Sequence, residues 1–144
     1  MEQKPTLLLM RGLPLSGKTD YATQWANENQ DRLRLSWSDT LTMFGGKYTK
    51  HRRGMAYEAT IHTMKVALRQ GFSVVIDEEN LNPKDYDLLL KHTESMDVVI
   101  QWHTMEATAQ QCKERNAVLG YPIQDADIDR KAERYDDYLT LKTL

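Results

Sequence analysis

Residues 12 to 19 read Gly-Leu-Pro-Leu-Ser-Gly-Lys-Thr, a Gly-x-x-x-x-Gly-Lys-Thr spacing between an apolar run and a helical pattern. Each part of such a loop has a chemical use. The two glycines let backbone N–H groups turn inward around phosphate oxygens, and the following helix adds its positive N-terminal end. Lys18 is spaced to reach the β- and γ-phosphates, and the Thr19 hydroxyl to ligate Mg2+. Gly12, Leu13, Pro14, Leu15, Ser16, Gly17, Lys18, Thr19 and Asp20 are therefore the expected contacts of a nucleoside triphosphate, ATP or GTP, with its magnesium.

Four other segments carry reactive groups. "VVIDEENLNP" (74–83) ends an apolar strand in carboxylates. Either Asp77 or Glu78 is suited to hold magnesium through water, or to close the strand end. In "SWSDTL" (36–41), Asp39 follows a second strand, and there a carboxylate can accept a proton from an attacking hydroxyl. Ser38-Asp39 is equally an ordinary helix cap. "GGKYTKHRR" (45–53) gathers Lys47, Lys50, His51, Arg52 and Arg53 in a loop suited to a phosphorylated or polyanionic acceptor, or to solvent alone. Lys113 and Arg115 stand on a late helix, where an arginine can offset charge on a transferring phosphoryl group.

The elements that must position these groups alternate. "TLLLM" (6–10), "LRLSW" (33–37), "FSVVI" (72–76) and "DVVIQW" (97–102) read as strands of a parallel sheet. Helices are expected from about 17 to 28, from about Thr40, and over 53–70 with Gly71 as a stop. A fourth is capped by Asn82 with Pro83 at its first position. A fifth is capped by Thr104 and ended by Gly120 and Pro122, and the last runs over 125–141 with Ile128, Ala132, Tyr135, Tyr138 and Leu139 as its apolar stripe. The alternation predicts an α/β, three-layer P-loop fold, with a short parallel sheet of four to five strands flanked by helices. With 144 residues and no internal linker, one domain over 1–144 is expected.

A net charge of −2 excludes a general polycation, so any nucleic-acid contact must come from a local patch. Cys112, the single cysteine, excludes an intrachain disulfide and reads as a packed thiol in a reducing, cytoplasmic setting. The N-terminal apolar run is too short for a membrane span or signal peptide. His51, His62, His92 and His103 are scattered rather than set at ligand spacing.

These segments, in this order, resemble the kinase domain of the bacteriophage polynucleotide 5′-hydroxyl kinase family, within a wider group of small P-loop kinases that includes the zeta toxins. "GLPLSGKTDYA" is similar to the family's Gly-x-Pro-Gly-Ser-Gly-Lys-Ser-Thr with an aromatic and Ala following. Asn80-Leu81-Asn82-Pro83 matches its Asn-Leu-Asn-Pro. "CKERN" and "IDRKAERYDDYL" match its lid and closing helices. The resemblance implies an ATP- and Mg2+-dependent kinase acting on a nucleic-acid or nucleotide hydroxyl, in host cytoplasm if phage-encoded. It implies phosphate and magnesium binding by Lys18 and Thr19, and Asp39 as general base. Asp77 and Glu78 would border the magnesium and acceptor site, Asn80 would shape its edge, and Arg115 would lie on the lid. It also exposes departures. Leu15 replaces the loop's middle glycine, which suggests a backbone that tolerates a side chain there, and Asp20 replaces a threonine. Thr42 and Leu119 stand where arginines are expected; Lys47, Arg52 or Arg53 are the candidates to replace them. Three readings follow: a polynucleotide or nucleotide kinase, a kinase for a small metabolite or modified base, and a non-catalytic nucleotide-binding module.

Overall fold

The computed structural model describes residues 3–120 and 123–141, with side chains through Arg134. Pro122 and the side chains of Tyr135, Tyr138 and Leu139 lie outside the described residues. The elements in chain order are β1 (Thr6–Arg11), α1 (Lys18–Asn27), β2 (Arg32–Leu35), α2 (Trp37–Phe44), α3 (Lys50–Arg69) and β3 (Ser73–Ile76). α4 (Pro83–Lys91), β4 (Val99–Thr104), α5 (Ala109–Leu119) and α6 (Asp125–Leu141) complete them.

The four strands form a parallel sheet in the order β2-β3-β1-β4. β3, third in the chain, inserts between β1 and β2. Its register sets Leu9 beside Ile76, so the loops leaving β1 and β3 emerge side by side at the carboxyl edge. Crevices at that edge, where strand order reverses, are where open α/β sheets hold ligands.

Period-2 alternation builds the layers. Leu7, Leu9, Val74 and Ile76 face α3 and α4 through Ile61, Met64, Ala67, Leu68 and Leu89. Leu8, Met10 and Val75 face α1 through Ala22, with Trp25 and Met105 alongside. A third cluster, Leu13, Leu81, Cys112 and Ile128, joins the loop after β1 to α5 and α6. Each fully buried leucine or isoleucine here contributes roughly 1.5–3 kcal/mol. Cys112 is one of these packed groups, and burial pushes its thiol pKa up.

Three helix starts differ from the sequence expectation, α3 beginning at Lys50 behind a Thr49 cap rather than at residue 53. Thr104 closes β4, because β4 pairs with β1 as far as Arg11↔Thr104. Thr108 caps α5 instead, in a reciprocal capping box with Gln111. α2 begins at Trp37, earlier than expected, with Ser36 Oγ accepting from the Asp39 N–H at 3.1 Å. Asn82 caps α4 as its sequence indicated.

Candidate active site

The loop between β1 and α1 is shaped by its main chain. The Ser16 N–H donates to the Leu13 carbonyl at 3.1 Å, and the Gly12 N–H to the Glu79 carbonyl at 3.1 Å. Gly17 has φ 93, and Leu15 takes φ 66, in the left-handed region that favours glycine. The expectation of a relaxed backbone at Leu15 is therefore corrected. The loop keeps the glycine-type turn, at a cost of roughly 1–2 kcal/mol for a non-glycine residue, and the Leu15 side chain packs on the third cluster. At Gly12 a Cβ would meet Ser16 Oγ at 2.7 Å and Met105 Cβ at 3.0 Å, so any side chain there would have to push both aside.

The loop suits a phosphate chain on observations of its own. No side chain caps α1, whereas Ser36, Thr49, Asn82 and Thr108 each cap their helices. Ser16 Oγ is buried without a hydrogen-bond partner. Lys18 Nζ donates to the Leu13 carbonyl at 2.8 Å. Burial holds its ammonium below the ordinary pKa, against the opposing pull of Glu79, Asp77 and Glu78. Arg115 Nη1 donates to the Leu15 carbonyl at 3.0 Å from α5, closing over the loop. A cavity of about 700 Å³ opens there, lined by Leu15, Lys18, Thr19, Asp20, Met105, Arg115 and Leu119 among others. The Thr19 hydroxyl and Asp77 carboxylate are hard oxygen donors of the kind Mg2+ takes together with substrate phosphates.

Beyond β3 stand three consecutive carboxylates, each tied to a different element. Asp77, almost wholly buried, accepts from Arg34 Nε at 2.9 Å and lies 2.7 Å from Arg34 Nη2. The same guanidinium reaches Asp39 Oδ2 at 2.7 Å through Nη1. One arginine thus joins the candidate magnesium carboxylate to the candidate base. Glu78 accepts from Ser36 Oγ at 2.8 Å, from the Ser38 N–H at 3.2 Å and from Ser38 Oγ at 2.7 Å, which ties β3 to the start of α2. Burial holds its carboxyl above the ordinary range even though these bonds oppose the shift. Glu79 binds Lys131 of α6 at 2.8 and 2.9 Å.

A second cavity, about 720 Å³, is bounded by two of these carboxylates, Glu78 and Glu79. Trp37, Ser38, Thr42, Lys47, Tyr48, Arg53, Glu78, Glu79 and Lys131 are among its walls. Lys47 and Arg53 reach it as expected of the basic segment. Arg52 does not: it donates to the Gly45 carbonyl at 2.7 Å and lies against Gly46, fastening the loop. Asp39 lies in the first turn of α2, held toward Arg34 and exposed. The buried amide of Asn80 donates inward to the Met10 carbonyl at 2.6 Å, so it shapes this edge from beneath. Lys113 pairs with Asp129 between α5 and α6.

Arg34, Glu79, Lys131 and Trp37 were not among the expected site residues. Arg34 had a readable signal, since Arg32 and Arg34 alternate with Leu33 and Leu35 and set a charged face on one strand. Lys131 had none, because its role depends on where α6 lies.

Comparison with known proteins agrees with this fold. A family model described as an AAA domain matches residues 7–139. The chain belongs to that family. Its fold is that of P-loop kinases. One structural neighbour is a chain of the Pnkp1/Rnl/Hen1 RNA repair complex, with TM-score 0.83 and 19% identity over 99% of this chain and 47% of that one. The chain therefore spans about half the length of that neighbour. A putative kinase from Chloroflexus aurantiacus matches with TM-score 0.73 and 18% identity, over 94% of this chain and 79% of that one. A gluconokinase from Sinorhizobium meliloti matches with TM-score 0.61 and 14% identity, over 91% and 75%. No curated protein matches the sequence. Among the described residues, no helix is long and apolar enough to cross a membrane.

Proposed function

We propose that residues 1–144 form one kinase domain that moves the γ-phosphate of ATP to a hydroxyl of a polynucleotide or nucleotide, most simply a 5′-hydroxyl. The observation that carries this reading is the pair of cavities at the carboxyl edge of the sheet, one lined by Lys18 and Thr19 of the phosphate loop and the other by Glu78 and Glu79. One cavity is lined by the phosphate loop. The other combines aromatic walls, Trp37 and Tyr48, with the cations Lys47, Arg53 and Lys131, which suits a base and its phosphates. The likeness to a chain of an RNA repair complex supports the same acceptor class.

In this reading the loop amides and Lys18 hold the β- and γ-phosphates, and Arg115 covers the donor from α5. Thr19 and Asp77 would hold Mg2+, which supplies Lewis-acid neutralisation of phosphate charge. Asp39 takes the proton of the acceptor hydroxyl, and Arg34 sets the position of that carboxylate. The reaction runs in a cytoplasmic setting.

A second reading, a kinase for a small hydroxyl compound, is favoured by Thr42. It supplies no cation to the acceptor cavity, and its hydroxyl is bonded to the Ser38 carbonyl at 3.1 Å. The deciding experiment uses γ-labelled ATP with Mg2+ against 5′-hydroxyl DNA, 5′-hydroxyl RNA, nucleoside 3′-monophosphates and gluconate, with Lys18→Ala as blank. Label on the polynucleotides or nucleotides, absent from the blank, is expected. Label on gluconate alone selects the second reading. No label on any acceptor, with ATP still bound in calorimetry, leaves a nucleotide-binding module.

A further inference from the structure

Phosphoryl transfer concentrates negative charge, and this chain lacks arginine at two positions, Thr42 and Leu119, where its resemblance leads one to expect it. Three cations line the acceptor cavity: Lys47, Arg53 and Lys131. Arg53 is partly engaged, with its guanidinium 5.9 Å from the Tyr48 ring centre and a 3.3 Å bond to that hydroxyl. Lys47 sits on the exposed loop between α2 and α3. Lys131 differs from both in its place.

Lys131 projects from α6 onto Glu79. The Glu79 main chain is fastened to the start of the phosphate loop by the Gly12 N–H. Its carboxylate is also foremost among the acidic groups that pull on Lys18. Glu79 therefore ties α6 to the phosphate loop, its carboxylate holding the Lys131 ammonium and its carbonyl holding the Gly12 N–H. Lys131 also lines the smaller cavity formed with Asn80, Asn82 and Asp85, so it borders the whole edge beyond β3. Its ion pair is about one-third exposed on each side, which makes it exchangeable for a phosphate oxygen.

Building on the kinase reading above, we propose that Lys131 is a catalytic cation of this chain. Its ammonium leaves Glu79 for an oxygen of the transferring phosphoryl group and supplies charge that the positions of Thr42 and Leu119 do not. No covalent bond forms or breaks at Lys131, and its proton stays on nitrogen.

The test separates a catalytic lysine from one that merely pins α6. Lys131→Met and Glu79→Gln break the same ion pair, but only the first removes the ammonium. Transfer by Lys131→Met should fall about 10²-fold, the scale of losing one preorganised donor. Glu79→Gln should lose less, and Lys131→Arg should recover most of the rate. Equal losses in Lys131→Met and Glu79→Gln would overturn the proposal. A second readout needs no acceptor: affinity for ADP with Mg2+ and aluminium fluoride, set against affinity for ADP with Mg2+ alone. Lys131→Met should weaken the fluoride complex at least tenfold more than the plain one, with its melting curve showing a folded protein. An equal effect on both overturns the role of Lys131. Absence of label on every acceptor in the unaltered protein overturns the kinase reading instead, and the fluoride comparison still decides the lysine.

Discussion

The two cavities at the carboxyl edge of the sheet have nearly equal volumes, about 700 and 720 Å³, and opposite construction. On the phosphate-loop side the working groups are main-chain amides, shaped by Gly12, Leu15 and Gly17, with Lys18 folded over them. On the other side they are side chains held by ion pairs and hydroxyls: Arg34 with Asp39 and Asp77, Glu78 with Ser36 and Ser38, Glu79 with Lys131. A main-chain cradle is fixed once the backbone turns are fixed. A side-chain cradle changes with every substitution on any of the four elements that supply it.

The sharpest break falls on the main-chain side. Lys18→Met should lower transfer by about 10³-fold, the scale of losing a key cation from phosphoryl transfer. The same change should raise the melting temperature, because burial holds the ammonium below its ordinary pKa. The folded protein binds fewer protons than the unfolded chain as pH approaches the ordinary value of 10.5. Stability from this group therefore climbs with pH in that window, and the desolvation cost is fully present at neutral pH. Urea titrations of both proteins at pH 7 and 10 check it, and the gap between them should narrow at the higher pH.

On the side-chain side, Arg34→Met should cost stability rather than only rate. It removes the paired guanidinium from the Asp77 carboxylate, which is 2% exposed. A loss of about 3 kcal/mol is expected, as for other buried pairs deprived of one partner. A denaturant midpoint unchanged from wild type would show that Asp77 finds other partners. Asp39→Asn touches the same guanidinium from its exposed end, where the side chain is 62% exposed. It should change stability by less than about 1 kcal/mol while lowering transfer about 10²-fold, as for loss of a general base. Transfer unaffected by Asp39→Asn would remove it as the base and leave Glu78, on the cavity wall, as the nearest carboxylate to test.

The contrast also explains what the sequence disclosed. The phosphate-loop side was legible because a main-chain cradle needs particular residues within one short stretch: Gly12, where a Cβ would press on Ser16 Oγ and Met105, and Gly17 at φ 93. The strands and their parallel sheet were legible because apolar runs alternated with helical periods, whereas the order β2-β3-β1-β4 was not. The opposite side was legible only in outline. Asp39 and Glu78 stand beside readable strand ends, but the link between Asp39 and Asp77 runs through Arg34, five residues from one and 43 from the other. Lys131 meets Glu79 across 52 residues, and no local pattern encodes such a meeting. Arg52 shows the converse: charge in a loop predicted a ligand contact, and the nearby Gly45 carbonyl claimed the guanidinium instead.

Leu15 offers the smallest effect and the finest test of the comparison, because there the main-chain side carries a side chain in glycine's conformation. Two forces act on it. The φ of 66 works against any residue with a Cβ, while packing beside Leu13 and Ile128 favours a large apolar group. Leu15→Ala removes the packing and keeps the strain; Leu15→Gly removes both. In an ordinary loop the alanine variant would be the more stable, by roughly 0.5–1 kcal/mol of backbone entropy. Here the order should reverse, with Leu15→Gly more stable than Leu15→Ala by about 1 kcal/mol, since the left-handed turn costs alanine more than entropy costs glycine. Thermal melts of the two variants decide it. The reversed order means that the turn, imposed by the loop, dictates the backbone and that leucine is retained by its contacts with the α5–α6 cluster. The ordinary order would mean that the loop relaxes when the leucine leaves, and that the cradle is shaped by side-chain packing after all.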